Sequence, residues 1–400
     1  MKVRSGYNFA KGDYVFTRVS NAVKNFKSKN FDCEVVDLGV GDVKFPPPEI
    51  ISEEIIKQSK FFIQPEGFCG YPLEEGILEL RQEISEYYNR LGAEVFEDEI
   101  FITNGAKPAI GELFELCDFK RGAIITPTYP LYEELCSLHG VEIDFYKSDS
   151  KNSFPLPQKS VDVAFFCSPN NPMGHTLSVK QTQELCSHSA QNNYLAVIDG
   201  AYADFTSSYI PPYAFENSSN VIEVRSYSKN LCFTGLRLGY TVIKRSNPIY
   251  SAYKRYVSLR SNGVNVIMQR VALLAYSKEC VTQQRRRVDY YRKNAQILKK
   301  PFEEKGLTVY GGINAPYLVV NVNKNGEEFF NELLYSAGVV VTPGEAFRAE
   351  NCVRVSCLCT RENAINGAKQ ITRFFNAEEK SRAISRLTHK KQPKTKEKPT

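Results

Sequence analysis

The feature that most restricts this chain is a series of short apolar runs set between helix-patterned stretches across residues 99–225. The runs lie at 99–103, 122–126, 161–167, 194–198 and 221–225. Several are nearly continuous in β-branched or aromatic residues, as in Ala164-Phe165-Phe166-Cys167. A strand with no face to offer water is a strand covered on both sides, the condition met inside a parallel sheet flanked by helices. Residues 178–192, between two of the runs, carry an amphipathic helical pattern. This alternation predicts an α/β domain with a mainly parallel central sheet.

The two ends of the chain read differently. A long polar helix is expected over 283–305, short strands over 307–310 and 317–321, and helices over 326–337 and 361–375. They predict a smaller α+β domain built from both ends, 1–45 and 275–376, beside a large domain of 46–274. Residues 377–400 hold eight Lys or Arg against three Glu, which is most of the net charge of +6. With almost nothing to bury, they are expected to form a disordered basic tail, read as solvated and not as a nucleic-acid contact. No run of 18 apolar residues and no N-terminal signal core are present, so a cytoplasmic protein without a membrane span is expected. The eleven cysteines form no CxxC pair or zinc-spaced cluster. They read as free thiols in a reducing compartment, with no metal site.

In open α/β sheets ligands gather beyond the carboxyl ends of the strands, and reactive groups stand at those places here. Ser226-Tyr227-Ser228-Lys229 follows the run at 221–225, with Arg237 eight residues on. A desolvated lysine can form an imine with an aldehyde cofactor, and hydroxyls with an arginine can clamp a phosphate. Asp199, after 194–198, can pair with a protonated ring nitrogen and keep that ring an electron sink. Asn171, in Ser168-Pro169-Asn170-Asn171-Pro172-Met173-Gly174, and Tyr202 can contact a phenolic oxygen. Asn104-Gly105-Ala106-Lys107 opens a helix whose free N–H groups attract phosphate. Tyr129, in Thr126-Pro127-Thr128-Tyr129-Pro130, offers a face for stacking. Each segment alone is compatible with an ordinary turn or core residue.

Together these segments resemble the class I and II aminotransferases of fold type I over residues 12–375. Within them the chain is similar to the LL-diaminopimelate aminotransferases. The segments that carry this are Gly311-Gly312-Ile313-Asn314-Ala315-Pro316-Tyr317, Asn262-Gly263 with Gln269, Gly105-Ala106-Lys107, and Tyr14-Val15-Phe16. The resemblance implies pyridoxal 5'-phosphate (PLP) as cofactor and Lys229, Asp199 and Tyr202 as catalytic residues. It implies that Lys229 carries the cofactor as an imine and shuttles the proton, and that Asp199 holds the pyridinium. Asn171 and Tyr202 would contact the ring oxygen and Tyr129 the ring face. Ala106, Lys107, Ser226, Ser228 and Arg237 would hold the phosphate, joined by Tyr71 of the neighbouring subunit in a homodimer. Arg354 would take the substrate α-carboxylate, with Tyr14, Gly41, Lys107, Tyr129, Asn171 and Asn262 completing the substrate site. Three departures are visible: Met173 in Asn-Pro-Met-Gly, Pro72 after Gly70-Tyr71, and a short segment over 344–354. The last two border the substrate pocket.

The implied reaction uses glutamate as donor and tetrahydrodipicolinate as acceptor to give LL-2,6-diaminopimelate, a lysine precursor. Another aminotransferase, lyase or cyclase using the same ligands is the alternative, and a non-enzymatic relative a third reading.

Overall fold

A computed structural model describes residues 14–30, 34–149 and 151–389, with side chains as far as residue 377. In chain order the strands are β1 Val36–Asp37, β2 Ile100–Thr103, β3 Arg121–Thr126, β4 Glu142–Lys147, β5 Val163–Cys167, β6 Leu195–Asp199 and β7 Val221–Ser226. They continue with β8 Gly239–Ile243, β9 Val309–Gly311, β10 Tyr317–Asn321, β11 Val339–Val340, β12 Thr342–Pro343 and β13 Cys352–Ser356.

The α/β class expected from the sequence is the one found. A seven-stranded sheet runs in the order β2-β8-β7-β6-β5-β3-β4. Strands β7, β6, β5, β3 and β4 pair in parallel, while β8 lies antiparallel between β2 and β7. Strands β5, β6 and β7 are buried at every position, which is why their runs are mostly apolar; the charged Glu223 and Arg225 inside β7 are buried as a pair. β4 shows no such run because it is the sheet's edge and faces water along much of its length; an edge strand does not need a continuous apolar sequence.

A second, four-stranded antiparallel sheet has the order β12-β13-β10-β9, and β1 pairs in parallel with β11. One core joins Val15, Val19 and Val36 from the N-terminal side to Leu298, Phe330, Val353 and Phe374 from the C-terminal side. The helix Lys278–Glu304 belongs to both lobes. Its first turn buries Cys280 in the core beside the large sheet, and Leu298 and Phe302 pack in the other core. It begins five residues before the expected start because Ser277 caps it, its hydroxyl accepting from the Cys280 N–H at 3.2 Å.

The last helix runs Arg361–His389, past the limit of 376 read from the sequence. The backbone of 377–389 is therefore helical rather than a disordered tail, in keeping with the Glu, Lys, Arg, Ala and Leu it contains. The expectation for 390–400, like that for the first thirteen residues, lies outside the described residues. Among the described residues no helix is long and apolar enough to cross a membrane.

Register decides where the reactive groups collect. Cys167 is level with Asp199, Asp199 with Val224, and both Ser226 and Thr103 with Gly239. The ends of β5, β6, β7 and β2 thus form one rim, and each is followed by a segment singled out above.

Candidate active site

Lys229 sits in the four-residue helix Tyr227–Asn230, directly after β7. Ser226 caps this helix, its hydroxyl accepting from the Ser228 N–H at 3.1 Å. The half-buried Lys229 ammonium donates to the carbonyl of Gly41. Loss of hydration pushes the lysine down to about 8, with Asp42 opposing and the Arg354 and Arg237 charges assisting. Gly41 is tied to its position by Tyr317, whose oxygen would lie 2.2 Å from any Cβ placed there.

Asp199 ends β6 and is 4 % exposed. One carboxylate oxygen accepts from the Tyr132 hydroxyl at 2.7 Å, the other from the Ala201 N–H at 3.0 Å. Burial raises its pKa while these two donors act against the rise. A buried carboxylate held by only neutral donors favours a cation placed before it. Tyr132 is itself fixed by stacking on Phe165, ring centroids 5.1 Å apart. Tyr202, buried, shares a 2.6 Å hydrogen bond with Tyr317, and burial raises its pKa far above that of a free tyrosine.

Arg354, on β13, is 1 % exposed. Its guanidinium donates to Asn171 Oδ1 at 3.1 Å and to the Gly39 carbonyl at 2.8 Å. Aromatic rings surround it, with Tyr317 4.3 Å and Phe347 4.6 Å from its central carbon. Among the described residues it has no carboxylate partner, and its Nε lacks a hydrogen bond. A buried guanidinium without an anion carries a desolvation cost of several kcal/mol, which an anion entering the cavity would offset.

A cradle of hydrogen-bond donors lines the same cavity. Gly105, at φ +98°, turns the chain from β2 into the helix Ala106–Leu116. A Cβ there would come within 2.6 Å of an Arg237 guanidinium nitrogen. The arginine therefore closes over the helix start, donating to the Asn104 carbonyl at 3.1 Å and to Ser228 Oγ at 3.4 Å. The leading N–H groups of the helix, Ser226, Ser228 and Arg237 form a donor set lining this cavity.

The cavity measures about 320 Å³, the size of a small-cofactor site. Lys229, Asp199, Tyr202, Asn171, Ala106 and Lys107 all line it, as do Tyr129, Gly41, Ser226, Ser228, Arg237 and Arg354. Tyr14 stands just beside it, with the Lys107 ammonium 4.9 Å from its ring centre. Tyr71 and Asn262 do not line it. Tyr71 is 86 % exposed. The segments holding these two residues meet on the surface, where Gly263 packs against Pro72 and Leu73. The residues present fit PLP: an aimed lysine, a buried carboxylate wanting a cation, and a cradle that a Cβ at Gly105 would fill.

Sequence reasoning missed Tyr132, the donor to Asp199, and gave Tyr317 no role although its segment was marked. Tyr132 falls three residues after Tyr129, on the helix that follows the marked turn, and that spacing was the available signal. Nothing local in the sequence ties Gly39, Thr342 or Phe347 to Arg354.

The sequence profile described as "Aminotransferase class I and II" matches residues 34–371. The chain is 33 % identical, over 407 residues, to an LL-diaminopimelate aminotransferase of Prochlorococcus marinus strain NATL2A, covering 94 % of this chain and 100 % of that protein. The solved structure of L,L-diaminopimelate aminotransferase from Chlamydomonas reinhardtii superposes with a TM-score of 0.86 at 29 % identity, covering 93 % of this chain and 98 % of that one. A double mutant of Thermus thermophilus aspartate aminotransferase, at 20 % identity, shares the fold with a TM-score of 0.84 over 94 % of this chain and 100 % of its own.

Proposed function

This chain belongs to the class I and II aminotransferases, in the family of the LL-diaminopimelate aminotransferases, and on that premise we propose that it moves the amino group of glutamate onto tetrahydrodipicolinate to give LL-2,6-diaminopimelate. Membership makes it a PLP-dependent aminotransferase; the substrate pair is the proposal. The observation that carries it is Arg354, a buried guanidinium without a carboxylate partner among the described residues, in the cavity that Lys229 and Asp199 share.

Bound PLP supplies an aldehyde carbon for imine formation and a protonated ring that takes up the electron pair released from the substrate α-carbon. Ser226, Ser228, Arg237 and the helix start at Ala106 would hold its phosphate, Asp199 its ring nitrogen, and Asn171 and Tyr202 its ring oxygen. Tyr129 would lie against the ring. Arg354 orients the substrate by a two-point contact to its α-carboxylate. The lowered pKa of Lys229 leaves roughly a tenth of the amine neutral at pH 7, able to take a proton from the substrate α-carbon and return it elsewhere. Tyr132 keeps Asp199 oriented throughout.

The substrate's far end also carries an amine and a carboxylate, and Lys107 beside Tyr14 supplies a cation and an aromatic face at the rim. Asn262 would add a polar contact. Tyr71 would act from the partner subunit of a homodimer. The dimer reading is supported by exposed apolar side chains around Tyr71, among them Ile63, Phe68, Leu73 and Leu259.

The test is a half-reaction screen of the holoenzyme, following the cofactor spectrum with LL-diaminopimelate, glutamate, aspartate and aromatic amino acids. Conversion by LL-diaminopimelate and by glutamate is expected; no response to LL-diaminopimelate removes the substrate assignment. A different amino acid on the same machinery is the second reading, favoured by Pro72 and the short 344–354 segment. A keto product formed without glutamate consumption would instead identify a lyase.

A further inference from the structure

The turn that carries Lys229 is held from both ends by one carboxylate outside the cavity. Asp204 lies in the 3₁₀ turn Ala203–Phe205, immediately after Tyr202. Its Oδ1 accepts from the Arg225 guanidinium at 3.2 Å and its Oδ2 accepts from the Asn230 amide at 2.8 Å. Arg225 and Asn230 bracket Ser226, Ser228 and Lys229, so the two bonds span the whole functional segment. Asp204 is also joined, through five residues of chain, to Asp199. It therefore ties the lysine to the segment that carries Asp199 and Tyr202.

Packing holds one face of the turn, where Tyr227 and Leu231 are buried in the core beside the large sheet. Behind the turn is a second cavity of about 530 Å³, lined by Asp204 and Asn230 together with Tyr209, Gln284 and Arg285. The face that carries Asn230 borders this open space and has fewer neighbours to pack against, so there the Asp204 bond supplies the restraint. The Arg225 end, by contrast, is rigid. Arg225 is 3 % exposed and Glu223 fully buried; they pair at 3.4 Å. Glu223 also accepts from Tyr88 at 2.8 Å and from Tyr209, and Tyr209 lies under the guanidinium, 4.6 Å from it.

We propose that Asp204 is a positioning residue for Lys229, a two-point clamp on Arg225 and Asn230 that sets where the lysine amine stands relative to Asp199. This rests on the aminotransferase chemistry described above. Proton transfer depends on hydrogen-bond reach between amine and substrate carbon, and a displacement of about 1 Å can cost about 100-fold in rate. Losing both bonds therefore lowers turnover with little change in substrate binding, which belongs to Arg354.

The test uses the holoenzyme carrying Asp204→Ala, Asp204→Asn or Asn230→Ala, with Tyr209→Phe as a control that loosens Glu223 but leaves the Asp204 bonds in place. Two quantities are read beside melting temperature: the split between kcat and KM, and the pH midpoint of the visible cofactor band. Wild type must show that band; its absence would overturn the aminotransferase reading and, with it, the clamp, whereas a wild-type band with unmoved variants overturns the clamp alone. With the band present, Asp204→Ala is expected to lower kcat about ten- to hundredfold at nearly constant KM and to move the midpoint. Asp204→Asn, which keeps one acceptor, should fall between, and Asn230→Ala should follow it. Tyr209→Phe should lower the melting temperature without moving the midpoint. The proposal is overturned if Asp204→Asn and Asn230→Ala leave the midpoint and kcat unchanged, or if Tyr209→Phe moves both as far as Asp204→Asn does.

Discussion

Arg354 donates to Asn171 Oδ1 at 3.1 Å, and this single bond joins the small antiparallel sheet to the loop that follows β5 of the large one. Arg354 has no carboxylate partner among the described residues, and its Nε has no hydrogen bond. The bond aligns the guanidinium with the cavity wall, where a substrate carboxylate can take the donors that remain. Replacing Arg354 with Lys keeps the charge and loses the planar fork. Arg354→Lys is expected to raise KM for amino-acid substrates about tenfold to a hundredfold, with a smaller loss in kcat, measured by steady-state kinetics. Unchanged KM would place the α-carboxylate elsewhere.

Lys229 has the second consequence. Its pKa, pushed down to about 8 by burial, means its amine becomes reactive well below the ordinary lysine range. In cofactor-free protein the rate of imine formation with PLP should rise with a midpoint near 8, while Lys229→Ala should form no imine and lose more than ~100-fold of its transamination rate. The folded state releases this proton before the unfolded chain does, so this group's contribution rises with pH from about 8 up to the ordinary lysine value and is flat below. Lys229→Met should remove that rise, which denaturant unfolding at pH 7, 8 and 9 would detect.

Asp199 and Tyr132 give a graded pair. Asp199→Asn leaves the fold and removes the negative charge, so turnover should fall at least ~100-fold and cofactor affinity should weaken. Tyr132→Phe removes one donor to a charged acceptor, worth about 1.5–3 kcal/mol, and should cost about ten- to hundredfold. If Tyr132→Phe matched wild type in both kcat and cofactor affinity, Asp199 would be held by other means.

The short 344–354 segment is anchored to the large domain by Arg348, which donates twice to Glu133, each bond 2.7 Å. Phe347, its neighbour, lies over Arg354. Both ends of the pair are well exposed, so stability should change by no more than about 1 kcal/mol in Arg348→Ala. Its effect should appear instead in KM, raised a few-fold as Phe347 loses its anchor. Salt should raise the wild-type KM toward the variant's; identical KM values at low salt would show that the pair has no such part.

The exposed region around Tyr71 and Asn262 yields the last prediction. Leu259→Lys, 75 % exposed in one chain, should weaken a homodimer by placing a charge in its contact, seen as a shift toward monomer in sedimentation and a parallel loss of cofactor. A monomeric wild type with full activity would rule out a shared site.

The sequence by itself determined the class of fold and which reactive groups stand at the strand ends. Short runs rich in β-branched and aromatic residues, set between helix patterns, mark interior strands, so β5, β6 and β7 were legible within a residue or two. The groups at their ends, Asp199, Ser226, Ser228 and Lys229, were legible as neighbours because the ends of parallel strands share one edge of the sheet, and all four line one cavity. Position in space was not written locally. β8 has no distinguishing pattern and yet sets the rim, because Gly239 is level with both Thr103 and Ser226. Arg354 meets Asn171 and Gly39 only when two sheets from distant parts of the chain face one another. Tyr132 supports Asp199, and Asp204 holds the lysine turn, through hydrogen bonds whose partners are far apart or hidden in an unremarkable turn. Periodicity reports which face of an element is buried; only the packed chain decides which donor reaches which acceptor, since an ångström separates a hydrogen bond from none.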